Sequence, residues 1–483
     1  MNWLLFAEII YVLIIILVCL RIIYDTKSPT KTSAYILLVI FLPLIGLFIY
    51  FSFGVNYRKR KMYCKSIFAK ELENRLKNEF NIAQNELLTI HTPIFDKYEQ
   101  LVKLVFNKSF SPVSANNEVQ LLSNGEHKFP EVLRAIKNAE HHIHLEYYIF
   151  DPDDIGMQII DLLIEKAIEG VKVRFIYDDF GSRGIKKKHL VRMREAGVEV
   201  YPFYKIIITA LASRMNYRNH RKIIVIDGEI GFVGGINVSD KYINNPAHPD
   251  RLFWRDTHLM LKGEAVRSLQ YVFLGDWNYC SNQQLQPDHY FFPKLENKIW
   301  GQKLVQMVFS GPDSDSPLIQ QSLCKAINLA KEEVLITSPY VIPGETIMET
   351  LIMSSQSGIA VKLLVPEISD SLFINMANHN NFGTLLDAGV EIYTYQKGFI
   401  HAKTLVIDRE IAIVGTANMD LRSFDLNFEI NSIVYDKELA LELHHAFYED
   451  IQDAKMLEAN MWRNRPKYRQ LLDKVVGLLS PLL

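Results

Sequence analysis

The sequence predicts two α/β lobes forming one active site, preceded by an amino-terminal two-helix transmembrane hairpin. Three observations lead there. The pattern His-x-Lys-x-x-x-x-Asp occurs twice, as His220, Lys222, Asp227 and as His401, Lys403, Asp408. The segments around the two copies repeat one another in the same helix and strand order. Two long apolar stretches dominate residues 1–57.

The hairpin comes first. Trp3 to Ile23 is apolar apart from Glu8 and Arg21, and Ala34 to Phe53 is apolar apart from Ser52. Each stretch approaches the roughly 20 residues that cross a bilayer core. A polar turn, Asp25 to Thr32 with Pro29, separates them. A signal peptide is disfavoured, because the first stretch lacks a basic leader and a small-residue cleavage site before Arg21. Arg58, Lys59, Arg60, Lys61 and Lys65 follow the second stretch, against Arg21, Lys27 and Lys31 in and near the turn. That imbalance puts the body of the protein on the cytoplasmic side of a cell membrane, as a multi-pass protein. Residues 58–115 then read as an amphipathic linker, with Leu72, Leu76 and Phe80 at helical spacing.

The two lobes span residues 116–295 and 296–483. Ala135 to Ala139 precedes an apolar strand at Ile143 to Phe150, and Ala326 to Ala330 precedes Val334 to Tyr340. A helical stretch ending at Gly170 leads into Val171 to Tyr177, as one ending at Gly358 leads into Val361 to Pro366. Glu195 to Tyr201 is echoed by Asp387 to Tyr393, and both lead to a His-x-Lys strand. Helix and strand alternate in each half, which predicts largely parallel, buried strands. The spacing differs at one place: Gly197 to His220 is longer than Gly389 to His401 by an insertion within Phe203 to Tyr217. That insertion is apolar, and reads either as an element dipping into the bilayer or as a loop packed on its own lobe.

The motif residues suit chemistry at a phosphodiester. An anionic substrate repels a nucleophile, and Lys222 and Lys403 offset that charge. Each lysine stands two residues from its histidine, on the same strand face. Asn237 and Asn418, in matching tails after each motif, can donate to the same oxygens. Imidazole is a competent nucleophile near neutral pH, and a second histidine can serve the leaving and entering alcohols. Such a histidine needs its other nitrogen oriented, and Asp256 and Glu429 are the expected carboxylates. Asp227 and Asp408 read as ties from the strand end to neighbouring backbone or to a basic side chain. Arg221 has no counterpart in the second copy, and reads as a phosphate contact or a surface residue.

The composition narrows the function further. A formal charge of −2 argues against a general nucleic-acid binder. The four cysteines, Cys19, Cys64, Cys280 and Cys324, form no CxxC pair and no zinc pattern. No carboxylate cluster has metal-ligand spacing, and there is no P-loop or dinucleotide fingerprint, so neither metal nor cofactor is expected.

The duplicated motif resembles the phospholipase D superfamily, over Val119 to the carboxy terminus. Further stretches are similar to bacterial cardiolipin synthases: the hairpin with Pro43, Gly46, Phe53 and Gly54; His142 to Phe150; Asn219 to Lys222; Trp254 to His258; Ser310 to Asp315; and the terminal Leu478 to Leu483. The resemblance implies two phospholipase D-like lobes. It implies transfer of a phosphatidyl group from one phosphatidylglycerol to another, giving cardiolipin and glycerol through a phosphatidyl-histidine. By the practice of that superfamily His220 attacks and His401 is the general acid and base. Hydrolysis, with water as acceptor, is the rival reading.

Overall fold

The computed structural model describes residues 3–26, 29–51, 93–109, 111–205, 217–245, 247, 251–293 and 298–477. At the amino terminus are helices α1 (Trp3–Asp25), α2 (Pro29–Phe41) and α3 (Pro43–Ile49). Pro29, which the sequence places in the polar turn, opens α2, a position where its missing N–H costs nothing. The second apolar stretch is divided rather than continuous. Leu42, held at φ −134° and ψ 67° before Pro43, leaves the helical region, as a residue preceding proline tends to do. Val18, Ile22, Val39 and Tyr50 form a small buried seam within the hairpin. At one end of it Asp25 accepts from Arg21 Nε at 2.6 Å and from the Tyr50 hydroxyl at 3.3 Å. Among the described residues no helix is long and apolar enough to cross a membrane; Glu8, Arg21 and Asp25 all lie in α1. Away from the seam, Ile10, Ile14, Leu17, Leu20 and Ile23 are exposed.

Of the linker, Pro93–Ser109 forms helix α4, and residues 111–115 lead into the first strand. Its apolar face, Phe95, Tyr98, Leu101, Val102 and Val105, is fully buried in the core that also contains Leu318, Ile327 and Val334. This part of residues 58–115 therefore belongs to the second lobe. Leu72, Leu76, Phe80 and the basic residues after the hairpin lie outside the described residues, as do residues 206–216 of the insertion and the terminal Leu478 to Leu483.

Fourteen strands show the duplication. The first half supplies β1 (Val113–Ser123), β2 (His142–Tyr147), β3 (Lys172–Asp178), β4 (Glu199–Phe203), β5 (Lys222–Ile226), β6 (Ile230–Gly234) and β7 (Thr257–Gly263). The second supplies β8 (Lys303–Ser310), β9 (Glu333–Thr337), β10 (Ala360–Pro366), β11 (Glu391–Tyr395), β12 (Thr404–Ile407), β13 (Ile411–Gly415) and β14 (Asn427–Tyr435). In space the first half runs β4, β3, β2, β5, β6, β7, β1 and the second runs β8, β14, β13, β12, β9, β10, β11. One order is the mirror image of the other. The halves join where β1 pairs antiparallel with β8, giving one continuous sheet.

The expectation of largely parallel strands is corrected. In each half the pairs among β2, β3, β4 and among β9, β10, β11 are parallel. The remaining neighbours pair antiparallel. The reason is local: short turns at Asp227–Glu229 and Asp408–Glu410 fold β5 and β12 straight back into β6 and β13, and such turns allow only antiparallel neighbours. On one face a single apolar cluster takes Val119, Ile223 and Leu259 from the first half and Val305, Val406 and Leu439 from the second. The lobes thus share a core.

Candidate active site

Each motif histidine stands just after a short strand that pairs with the opposite lobe. Arg218–Asn219 runs parallel to the start of β14, with Asn219 opposite Phe428, and the His220 N–H donates to the Phe428 carbonyl at 2.9 Å. Gly398–Ile400 runs parallel to Phe253–Arg255, and the His401 N–H donates to the Arg255 carbonyl at 2.7 Å. The residue after each accepting carbonyl is the orienting carboxylate. His220 Nδ1 lies 2.9 Å from Glu429, and His401 Nδ1 lies 2.7 Å from Asp256. Each histidine is therefore held by a carboxylate of the other lobe. A carboxylate that is ionised can only accept, so Nδ1 carries the proton and Nε2 keeps its lone pair.

The two carboxylates are set by different local devices. In the first lobe Gly235 lies against Asp256, where an added Cβ would stand 2.1 Å from Oδ1. In the second, Thr416 occupies the matching position, and its hydroxyl donates to Glu429 Oε2 at 2.5 Å. The longer glutamate leaves room for a side chain that the shorter aspartate does not.

Lys222 and Lys403 lie buried beneath the histidines. Lys222 Nζ donates to the His220 carbonyl at 2.7 Å, and Lys403 Nζ to that of His401. Burial, with each ammonium opposing the other, lowers Lys222 to about 7; burial lowers Lys403 to about 8. Burial, then the Lys222 charge, brings His220 down to about 4 against the pull of Glu429. Burial and Lys403 bring His401 to about 3, against Asp256. Burial pushes both carboxylates up, yet the lysines and histidines outweigh it and hold Asp256 and Glu429 below their ordinary values. The site without substrate thus has ionised carboxylates and neutral imidazoles.

His220 and His401 open on one cavity of about 430 Å³, together with Asn237 and Asn418. The Asn237 amide is already committed, donating to the Tyr242 hydroxyl at 2.8 Å and accepting from the Ile149 N–H. Asp227 and Asp408 do not line it. Asp227 accepts from the N–H groups of Glu140, His141 and His142, at the start of β2. Asp408 accepts from those of Lys331, Glu332 and Glu333, and from Lys97 of α4 at 2.8 Å. Both sit at positive φ, 53° and 51°, in the turns that reverse β5 and β12. Arg221 corrects its sequence reading: it is buried and ion-paired with Asp276, neither on the surface nor in the cavity wall.

Sequence reasoning passed over several wall residues. The Tyr148 ring meets His220 edge-on at 4.8 Å, and Trp254 lies 5.7 Å from His401. Lys241 lies over the Trp254 ring at 4.5 Å. Lys241 and Arg422 stand at matching positions in the two tails, four residues beyond Asn237 and Asn418, a repeat that the alignment of halves could have revealed. Among the described residues no group of histidine, cysteine and carboxylate side chains could hold a metal ion.

The sequence profile described as cardiolipin synthase, PLD-like domain matches twice, at residues 132–254 and 323–451, one copy per lobe. A second profile, the phospholipase D-nuclease N-terminal segment, matches residues 9–54. The chain belongs to the cardiolipin synthase family. It is 39% identical to the cardiolipin synthase of Alkalihalophilus pseudofirmus, over 99% of this chain and 93% of that protein. With the cardiolipin synthase of Geobacillus sp. (strain WCH70) it shares 40% identity, over 95% and 90% of the two chains. The crystal structure of phosphatidylserine synthase from Haemophilus influenzae Rd KW20 has a similar fold. It gives a TM-score of 0.59 at 14% identity, over 80% of this chain and all of that one. Members of the family are phosphatidyltransferases of the phospholipase D superfamily.

Proposed function

We propose that the cavity transfers a phosphatidyl group from one phosphatidylglycerol to the hydroxyl of another, through a phosphatidyl-histidine on His220. The observation that carries this is the crossed pairing: two imidazoles on one cavity, each with Nδ1 held by the other lobe's carboxylate. The donor phosphodiester brings a negative charge between Lys222 and Lys403, which raises the basicity of the imidazoles beside it. His401 then holds a proton on Nε2. His220 Nε2 attacks phosphorus, the bond from phosphorus to the glycerol oxygen breaks, and that oxygen takes the proton of His401. Glycerol leaves. The hydroxyl of the second phosphatidylglycerol gives its proton to His401 and attacks phosphorus, and the P–N bond breaks to release cardiolipin and free His220. Attack by each group is favoured because both are held near phosphorus before reaction. The Lys222 and Lys403 ammonium groups meet the charge that gathers on the equatorial oxygens.

One phosphodiester replaces another, so little driving force is needed and the reaction is reversible. The hairpin supplies the location. From Trp3 to Leu20 the sequence has a single charged residue, Glu8, and the aliphatic side chains outside the seam are exposed. Seating them in a bilayer removes that surface from water, and the excess of basic residues after it supports lobes on the cytoplasmic side. The test is purified protein with phosphatidylglycerol and EDTA. Cardiolipin and glycerol in equal amounts support the transfer; phosphatidic acid alone establishes hydrolysis instead. Loss of all product on adding EDTA, restored by a metal, would defeat the histidine mechanism.

A further inference from the structure

The cavity wall contains a cation that the reaction chemistry does not use. Arg218 lines the cavity two residues before His220, in the short strand that pairs with β14. Alternate residues of a strand share a face, so the two side chains stand on one side of it, roughly 7 Å apart along the chain. The residue is 2% exposed. Among the described residues none of its three guanidinium nitrogens has a hydrogen-bond acceptor. Its carboxylate neighbour, Asp178, stands at 3.9 Å from Nη1 and is occupied elsewhere. It accepts from the N–H groups of Phe180, Gly181 and Asn219 at 3.0, 2.9 and 3.1 Å. The Phe180 ring, at 4.8 Å, supports the guanidinium without satisfying a donor. The equivalent position in the second lobe is Phe399, so this cation belongs to one half-site only.

A buried guanidinium holds five N–H donors in a planar fork, and leaving them unmet is costly. The arrangement is explained if a ligand meets them. Arg422, from the other lobe, lines the same cavity and its charge opposes that of Arg218, so an anion between them relieves both. Planar, bidentate donation is the geometry that suits a phosphate. In the transfer proposed above, the reacting phosphate is served by the two histidines and by the charge of Lys222 and Lys403 behind them, whose ammonium groups donate to the histidine carbonyls. The acceptor, however, carries a phosphate of its own, a three-carbon bridge away from the hydroxyl that attacks.

We propose that Arg218 forms a second anion subsite, which binds the phosphodiester of the acceptor lipid and so selects a phosphorylated alcohol over glycerol or water. This rests on the transfer reaction proposed above. It also explains how a cavity open to water favours transfer. An acceptor held at its phosphate places its hydroxyl at the intermediate, whereas water and free glycerol gain nothing there.

The experiment uses the full chain in detergent micelles with phosphatidylglycerol as donor and two soluble acceptors. One is glycerophosphoglycerol, which carries the phosphodiester; the other is labelled glycerol, which is neutral. The wild type should show a higher kcat/KM for glycerophosphoglycerol. In Arg218→Gln the ratio of the two kcat/KM values should fall roughly 10- to 100-fold, the range for losing a charged hydrogen bond. The fall should lie mainly in the KM of the phosphorylated acceptor. Arg218→Lys, which keeps the charge but not the fork, should give a smaller fall in the ratio, and it decides the matter if the glutamine variant does not fold. An unchanged ratio, or equal loss with both acceptors, overturns the subsite and leaves Arg218 a structural residue. Failure of the wild type to transfer to either acceptor would instead refute the transfer reading.

Discussion

Replacing Asp256 by Asn and Glu429 by Gln, one at a time, should separate the two halves of the reaction. Each change keeps shape and removes one carboxylate, and each carboxylate acts on the histidine of the opposite lobe. Losing a charged hydrogen bond of this kind costs about 1.5–3 kcal/mol, or about 10- to 150-fold in rate. If the new amide turns its NH2 group toward Nδ1, the imidazole adopts the other tautomer and loses its lone pair at Nε2. For the serine protease triad, which is a worked case of this effect, that loss is about 10⁴-fold. Both variants should therefore lose about 10²- to 10⁴-fold in cardiolipin synthesis. A phosphodiester with a nitrophenyl leaving group distinguishes them, because nitrophenolate departs without a proton from His401. Stopped-flow absorbance should show a stoichiometric burst for Asp256→Asn, which keeps His220 oriented, followed by slow turnover. Glu429→Gln should show no burst. A burst from Glu429→Gln and none from Asp256→Asn would make His401 the nucleophile. Identical traces would refute the division of roles.

Further outcomes follow from the buried charges. Lys222 lies at about 7 in the fold against 10.5 ordinarily. Between those values the unfolded chain holds the proton that the folded chain has lost, so stability rises with pH across that window and the full penalty is present below it. The penalty is at most about 5 kcal/mol. After the lost bond to the His220 carbonyl, Lys222→Met should gain about 1–3 kcal/mol at pH 6, seen as a higher Tm, while activity is abolished; a lower Tm at that pH would contradict it. In the protein without substrate, NMR titration should place the His220 imidazole near 4 and that of His401 near 3, with the two lysines discharging near 7–8. A motif histidine that titrates at its ordinary value of 6.5 would show that burial does not govern the site. Gly235→Ala should displace Asp256 and cost about 10²-fold in kcat with little change in KM. Thr416→Val should do less, about tenfold, because Asn427 still donates to Glu429 at 3.2 Å; equal losses would remove the distinction between the two devices.

Much of this molecule is legible in one dimension. Ile223–Ile226 and Leu405–Ile407 are apolar runs that end at an aspartate, and they are buried strands because their side chains carry no polar group that needs water. Repetition of the segments around them identifies two copies of one unit, with helix and strand in the same succession along the chain in each half. What local pattern could not supply is direction and depth. Antiparallel pairing is not legible in apolar content, because a three-residue turn and a crossover join equally apolar strands. The burial of Arg221 on Asp276, and of Arg218 in the cavity wall, follows from neighbours far along the chain.

Residue type and spacing suffice to specify the candidate catalytic groups, their duplication, the two candidate orienting carboxylates and the apolar hairpin. Which carboxylate meets which histidine is set in three dimensions. His220 and Glu429 are 209 residues apart, and His401 and Asp256 are 145. They meet because the backbone before each histidine hydrogen-bonds to the strand before the other lobe's carboxylate. That pairing is made by main-chain amides and carbonyls, which every residue carries alike, so no side-chain pattern announces it.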